Sequence, residues 1–98
     1  MKLGSRTSEI NLKSEVRQSE GRLYEYTLTV KRSPYTASYR LPLYSISVNL
    51  TDRDGIKSQR SAENAFVDPE RALAFFDRLV ENLATPIDLP YILEDEFN

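Results

Sequence analysis

Three consecutive carboxylates near the C-terminus, Glu94, Asp95 and Glu96, are the residues best suited to chemistry. Paired carboxylates can act as general acid and base, and clustered carboxylate oxygens can bind a hard cation. An enzyme of this kind would need a pocket lined by Asp88, Glu94 or Asp95. The pattern favours a solvated acidic face on a terminal helix. Because acidic groups at a helix C-terminus oppose the helix dipole, we expect them to meet a basic partner or the basic sheet.

The other common catalytic groups are missing from the sequence. The 98 residues include no histidine and no cysteine, which removes the usual general base, the commonest metal ligand and thiolate chemistry. A serine nucleophile would need a lysine base, and Lys13, Lys31 and Lys57 fall at predicted outward strand positions or turns. No glycine-rich phosphate or dinucleotide motif occurs. The sequence therefore predicts a protein that is not an enzyme and uses no cofactor, metal or small-molecule ligand.

The segment Asp52-Arg53-Asp54-Gly55 has the composition of a calcium-binding loop but not its spacing. With Gly55 at the sixth position of such a loop, the first and twelfth positions would be Leu50 and Ser61, where acidic residues are needed. The segment instead predicts a hairpin turn with Gly55 in the left-handed conformation.

Alternating apolar and polar residues predict four strands. They cover residues 10–17, 22–32, 44–51 and, for the weakest of the four, 56–61 or a little beyond. In the first strand the apolar positions, from Ile10 through Leu12 to Val16, are expected to face the core, which would turn Lys13 and Arg17 outward. Tyrosines at core-facing positions are expected to be buried, and they are Tyr24, Tyr26 and Tyr44.

Two helices are predicted after the strands. Asp68, Pro69 and Glu70 form a helix start, with Asp68 as the N-cap. The apolar stripe of this helix is expected to contain Leu73, Phe76, Leu79, Val80 and Leu83, flanked by Ala72 and Phe75. A second helix is predicted over residues 89–97 with Asp88 as its cap, and Ile87 is expected to pack inward.

The order ββββαα predicts an α+β fold, in which a four-stranded antiparallel meander carries one long and one short C-terminal helix on one face. We expect a single domain over residues 9–98 after a flexible N-terminal tail over residues 1–8. No apolar run reaches the roughly 20 residues of a membrane span, and no signal-peptide pattern is present. A cytoplasmic location is therefore the default expectation.

Charge is divided unevenly along the chain, although the net charge is only −2. Residues 1–60 hold eleven Lys/Arg and six Asp/Glu, a balance of +5. Residues 61–98 hold two Lys/Arg and nine Asp/Glu, a balance of −7. Opposite charges on two copies of the chain could therefore attract each other, which predicts a homodimer.

Two further regions are candidate binding surfaces. The predicted connection between the second and third strands carries Tyr35, Tyr39 and Leu43, and aromatic residues in loops often contact partners. These residues could equally fold back over one end of the core. The outer face of the sheet is expected to carry four basic residues that could contact nucleic acid, namely Lys13, Arg17, Lys31 and Lys57.

The C-terminal segment from Asn82 to Phe97 resembles a small uncharacterised family, a domain of unknown function in clostridia and related Firmicutes. Matching positions in this segment are Asn82, Pro86, Ile87, Leu89, Ile92, Leu93, Glu94, Asp95 and, offset by one residue, Phe97. The strand Tyr44-x-Ile46-x-Val48 is similar to another part of that family. The resemblance extends over about residues 22–97 and implies a ββββαα domain with no known activity, substrate or cofactor.

Two positions depart from the family pattern. Asp88 replaces a frequent histidine, and Tyr91 replaces an aspartate. Together with Glu94 and Asp95, these residues are the C-terminal candidates for an interaction site. We expect a non-enzymatic protein-interaction module that can associate with itself, and the alternative is a nucleic-acid-binding module.

Overall fold

A computed structural model describes residues 8–32 and 42–98. The described residues form four strands and two helices in the order ββββαα. These elements are β1 (Ser8–Ser19), β2 (Arg22–Arg32), β3 (Leu43–Thr51), β4 (Lys57–Phe66), α1 (Pro69–Glu81) and α2 (Leu89–Glu96). The strands pair antiparallel in chain order, and both helices pack on one face of the sheet. The predicted α+β meander is confirmed, but Ser8 belongs to β1 and not to the predicted tail.

The turn between β1 and β2 contains two residues with positive φ, Glu20 at 54° and Gly21 at 81°. Positive φ at both central residues is the backbone of the two-residue hairpin turn whose twist matches the strands. Gly21 is also crowded, since a Cβ atom there would lie 2.9 Å from Cγ of Arg53. Arg53 donates from Nε to the carbonyl oxygen of Glu20 at 2.7 Å. Two hairpin turns are thereby joined at one end of the sheet.

The turn between β3 and β4 has the conformation that the sequence predicts. Gly55 adopts φ 83° and donates its N–H to the carbonyl oxygen of Asp52. One carboxylate oxygen of Asp52 accepts from the N–H groups of both Asp54 and Ile56 at 2.9 Å. The carboxylate is therefore used to close the turn, as a short side chain at the start of a turn commonly is.

The core lies between the helices and the helix-facing side of β2, β3 and β4. All three tyrosines predicted to be buried belong to it, and Tyr26 has no exposed surface. The buried apolar side chains are Tyr24, Tyr26, Leu28, Tyr44, Ile46, Val48, Ala62, Phe66, Ala72, Phe75, Phe76, Leu79, Val80, Ala84 and Leu89. The prediction that Leu73 belongs to the buried apolar stripe of α1 is wrong, because 40% of its surface is exposed.

A β-bulge in β1 reverses the predicted facing of most of that strand. Asn11 pairs with Thr29, but Lys13 pairs with Leu28, so Leu12 is an extra residue. One extra residue turns every later side chain to the opposite face. Lys13 and Arg17 therefore lie on the helix-facing side, and Val16 lies on the outer side. The outward placement of Lys13 and Arg17 predicted above is wrong for this reason.

β4 is longer than the sequence pattern predicts, and it also contains a bulge. The strand continues past Ser61 to Phe66, with Ala62 opposite Ile46 and Phe66 opposite Tyr44. The intervening residues include Asn64, whose φ is 52° and whose N–H donates to the hydroxyl of buried Ser45 at 2.9 Å. Because this irregularity breaks the alternation of two, the last part of the strand has no recognisable strand pattern.

Helix α1 begins as predicted, since Asp68 accepts a hydrogen bond from the backbone of Glu70. It ends without glycine: Leu83 adopts φ 51°. The N–H of Leu83 bonds to the carbonyl of Val80, and that of Ala84 bonds to the carbonyl of Leu79. These two bonds define a Schellman motif, in which the left-handed position is usually glycine. Leu83 has the conformational strain of a positive φ, and its side chain packs against the core.

Thr85 and Asp88 form the reciprocal hydrogen bonds of a capping box ahead of α2. The Thr85 N–H donates to Oδ2 of Asp88 at 3.0 Å, and the Asp88 N–H donates to Oγ1 of Thr85 at 3.3 Å. Asp88 occupies the N-cap position of α2, as predicted, but its side chain makes no capping hydrogen bond to that helix. Thr85 performs that function one turn earlier.

Candidate protein-interaction surface

Helix α2 is held against α1 by what we call the Glu96 clamp, in which the carboxylate of Glu96 lies between the guanidinium groups of Arg71 and Arg78. Oε2 of Glu96 lies 2.9 Å from Nε of Arg71, and Oε1 lies 3.1 Å from Nη1 of Arg78. Arg71 also donates to the carbonyl oxygen of Glu96 and lies 4.8 Å from the ring centroid of Phe97. The expected solvated position is therefore wrong for Glu96, whose basic contacts come from α1. Glu94 and Asp95 are exposed as expected.

The corner between the two helices is tied to the sheet by a buried hydroxyl. Tyr26 donates its O–H to the carbonyl oxygen of Ala84 at 2.8 Å. Burial, with a smaller contribution from Tyr24, raises the pKa of Tyr26 from 10.0 to about 12. The raised pKa keeps the phenol protonated, and able to donate, at alkaline pH values at which an ordinary tyrosine already ionises. This contact and the Glu96 clamp fix the orientation of α2 at both ends.

With α2 fixed, its solvent side forms a surface that combines apolar and acidic groups. Ile87 and Tyr91 have 72% and 70% of their surfaces exposed, the two highest values among the large apolar side chains described. They lie four residues apart, which places them on the same side of the helical segment. Asp88, Glu94 and Asp95 on this segment are also exposed. We call these five residues the acidic–aromatic patch.

Four of the predicted interaction residues are brought together in this patch, and Ile87 was missed. Ile87 was expected to pack inward, but its side chain is exposed, although Pro86 before it and Leu89 after it are buried. Its spacing of four residues from Tyr91 is the signal that could have identified it. Leu43 begins β3 and is half-buried, far along the chain from the patch. Tyr35 and Tyr39 lie outside the described residues.

The outer sheet face is mostly neutral and polar. Among its described side chains are two lysines, Lys31 and Lys57, and three glutamates, Glu9, Glu25 and Glu63. The other positions are mainly serine, threonine and amide residues, namely Asn11, Ser14, Thr27, Thr29, Ser45, Ser47, Asn49, Thr51, Gln59 and Ser61. Instead of facing outward, Lys13 lies 3.1 Å from Asp77 of α1 and 5.5 Å from the ring centroid of Phe76.

A model of a family of unknown function, DUF6514, matches residues 7–98. The chain belongs to this family. No curated protein and no solved structure matches the DUF6514 chain. The patch, the clamp and the corner all lie within the matched range, which extends further toward the N-terminus than the resemblance noted from the sequence.

The described part of this DUF6514 protein contains no group of three or more acidic residues that could hold a metal ion. A surface depression of about 380 Å³ lies between the two hairpin turns and is lined by residues 18–23, Thr51 and Asp52. A smaller one of about 80 Å³ lies between β4 and α2, beside Arg60, Leu89 and Leu93. Neither depression is lined by the acidic residues of the patch. In the same described ranges, neither helix is long and apolar enough to span a membrane.

Proposed function

We propose that this DUF6514 chain is a non-enzymatic protein-interaction module that binds a basic surface of a partner protein through the acidic–aromatic patch. The exposure of Ile87 and Tyr91 is the observation that carries the proposal. Tyrosine is enriched at interfaces because it supplies a large contact area at low conformational-entropy cost. Three carboxylates around the apolar pair favour a positively charged partner and would increase its association rate.

The test is a photo-crosslinking experiment in native cells. A photoreactive phenylalanine analogue replaces Tyr91, and the matched control carries the same analogue at Gln59, an exposed position on β4. We expect a discrete crosslinked protein at Tyr91 that is absent at Gln59 and is lost with Glu94→Lys plus Asp95→Lys. Glu63→Lys plus Glu70→Lys alters the charge equally at exposed positions outside the patch and should retain the crosslink. Equal crosslinked products from the analogue at Tyr91 and at Gln59 would refute the proposal. So would a crosslink at Tyr91 that is retained in Glu94→Lys plus Asp95→Lys.

The setting of this function is also a proposal. We propose a bacterial, cytoplasmic protein, in clostridia and related Firmicutes, and the sequence resemblance and the absence of cysteine support this setting. Nucleic-acid binding by the outer sheet face has less support, because Lys13 and Arg17 lie on the other face. Lys31 and Lys57 remain there, and a salt-dependent electrophoretic shift abolished by Lys31→Glu plus Lys57→Glu would support that alternative.

A further inference from the structure

Strand β1 is at the edge of the sheet, and one of its two sides faces no other strand in the described chain. It is the longest strand, and its register to β2 is regular from Lys13 to Ser19. An edge strand presents unpaired N–H and C=O groups that can pair with another strand. The bulge at Leu12 interrupts only the first part of this edge. Residues 13–19 therefore form a regular stretch of seven residues that is suited to pairing.

The side chains of this stretch determine what it can pair with. On the helix-facing side lie Lys13, Glu15 and Arg17, whose charges alternate in sign. On the outer side lies Val16, with 54% of its surface exposed. Nη1 of Arg17 is 2.9 Å from Oε1 of Glu15 in the same strand, and both groups remain partly exposed. A strand that sets opposite charges against these residues would fit this stretch, and a second, antiparallel copy of β1 does so for Glu15 and Arg17 when these two residues lie opposite each other.

We propose that β1 pairs antiparallel with β1 of a second copy of this chain, with a two-fold axis at Val16, to form a continuous eight-stranded sheet. A two-fold axis perpendicular to the sheet places the helix-facing sides of both copies on the same face of the joined sheet. Because residues that lie directly opposite each other must then face the same side, the axis passes through a residue position and not between two residues. An axis at Lys13, Glu15 or Arg17 would bring each of these charges against its own copy. The axis at Val16 places Glu15 against Arg17 of the second copy and avoids the bulge. This surface is distinct from the acidic–aromatic patch.

An axis at Ser14 also separates like charges, because it places Lys13 against Glu15 of the second copy. That register, however, extends through the bulge at Leu12 and would pair an irregular segment with a regular one. The two registers predict different neighbours for Val16: its own copy for the axis at Val16, and Leu12 for the axis at Ser14. Single cysteine substitutions can distinguish them, because the natural chain contains no cysteine.

The first experiment is disulfide formation by single-cysteine variants under mild oxidation. Val16→Cys should form a covalent dimer, because directly opposite residues of paired strands have Cβ atoms close enough for a disulfide. The matched control is Gln59→Cys, an exposed outer-face position on the other edge strand, and it should remain monomeric. Equal crosslinking of both variants would show random collision and would overturn the proposal. Crosslinking of Leu12→Cys with Val16→Cys, without Val16→Cys homodimers, would overturn the axis at Val16.

The second experiment measures the dissociation constant by sedimentation over a concentration series. Glu15→Arg places two guanidinium groups opposite each other at both symmetric contacts and should weaken the dimer about tenfold. Adding Arg17→Glu to the same chain restores opposite charges and should restore the affinity. A monomer at every concentration up to the millimolar range, or affinity unchanged by Glu15→Arg, would overturn the proposal. Neither result would affect binding at the acidic–aromatic patch, which is tested at Tyr91.

Discussion

The two edge strands of the sheet differ in how far the rest of the described chain covers them. β4 presents an exposed polar run, Lys57 to Ser61, and its other end is covered by α2 and anchored by Phe66. β1 lies beside the helical layer, which packs mainly over β2, β3 and β4, and exposes half or more of the surfaces of Ile10, Leu12 and Val16. Its described contact with α1 is polar, through Lys13. The helices thus stabilise one edge by burial and leave the other available.

The largest expected difference between the edges is in core packing. Phe66→Ala removes a buried ring that lies 5.2 Å from Phe75 and 5.4 Å from Phe97, centroid to centroid. We expect a loss of about 3–5 kcal/mol in the free energy of unfolding. Val16→Ala on β1 is the matched control and should change it by no more than about 0.5 kcal/mol. Urea denaturation measures both, and similar losses for the two variants would contradict this assignment of the edges.

The attachment of the helical corner beside β1 depends on one hydrogen bond from Tyr26. Removing this bond should therefore reduce the free energy of unfolding by less than removing the buried ring of Phe66. Tyr26→Phe leaves the buried carbonyl of Ala84 without its donor and should cost about 1–3 kcal/mol at neutral pH. The same residue predicts a dependence on pH. Because the pKa is raised from 10.0 to about 12 on folding, the unfolded chain loses this proton first. The stabilisation is therefore complete below pH 10 and is lost as the pH rises toward 12, by up to about 1.4 kcal/mol per pH unit.

The alkaline effect is measured by urea denaturation of the wild type and Tyr26→Phe between pH 8 and pH 12. The difference in stability between the two proteins should narrow above pH 10, because only the wild type has the buried phenol. A difference that stays constant over this range would show that Tyr26 does not titrate as described. Tyr44→Phe, which does not contribute to the raised pKa of Tyr26, serves as a control for general effects of alkaline pH.

The clamp on α2 should contribute about 1 kcal/mol, since its carboxylate accepts hydrogen bonds from two charged groups but stays partly exposed. Glu96→Gln removes the charge and retains the shape of the side chain. The expected result is a lower thermal midpoint and faster amide hydrogen exchange confined to α2. Glu94→Gln, two residues away on the exposed side, should change neither quantity. Slower or unchanged exchange in Glu96→Gln would exclude the clamp as the device that positions the patch.

The smallest expected effect is that of the polar contact beside β1. The ion pair between Lys13 and Asp77 is 36% and 51% exposed at its two side chains, so solvent screens it strongly. A double-mutant cycle with Lys13→Met and Asp77→Asn should give a coupling energy of about 0.2–1 kcal/mol. A coupling energy comparable to the loss in Phe66→Ala would mean that β1 is anchored as firmly as β4.

The sequence predicts most of the fold because local signals agree with one another. The alternation in β2 and β3, the glycines of both hairpin turns and the cap at Asp68 each correspond to a regular local geometry. The errors occur where the backbone departs from regularity. Leu12 is an extra residue in β1, and such a bulge leaves no separate mark in the residue types, so the facing of Lys13 was predicted wrongly.

The candidate site could also be predicted only in part, because local patterns indicate some of its residues and packing between elements determines the others. Exposed polar residues such as Glu94 and Asp95 are recognisable from the polar side of a short helix. The exposure of Ile87 depends on how the corner after α1 closes, with Leu83 in a left-handed conformation that is usual for glycine. The pairing of Glu96 with α1 depends on tertiary packing. Neither feature can be derived from the periodicity of one segment.

The bulge at Leu12 has a consequence for how the length of β1 can change. Deleting one residue from a strand normally inverts every side chain beyond the deletion. Deleting Leu12 would not, because Lys13 already lies on the face that alternation from Asn11 requires. In a sequence alignment Leu12 would behave as an insertion, and a gap at this position would be compatible with the same core. A chain that lacked it would present an uninterrupted edge along the whole of β1, with no irregularity to limit where a neighbouring strand could attach.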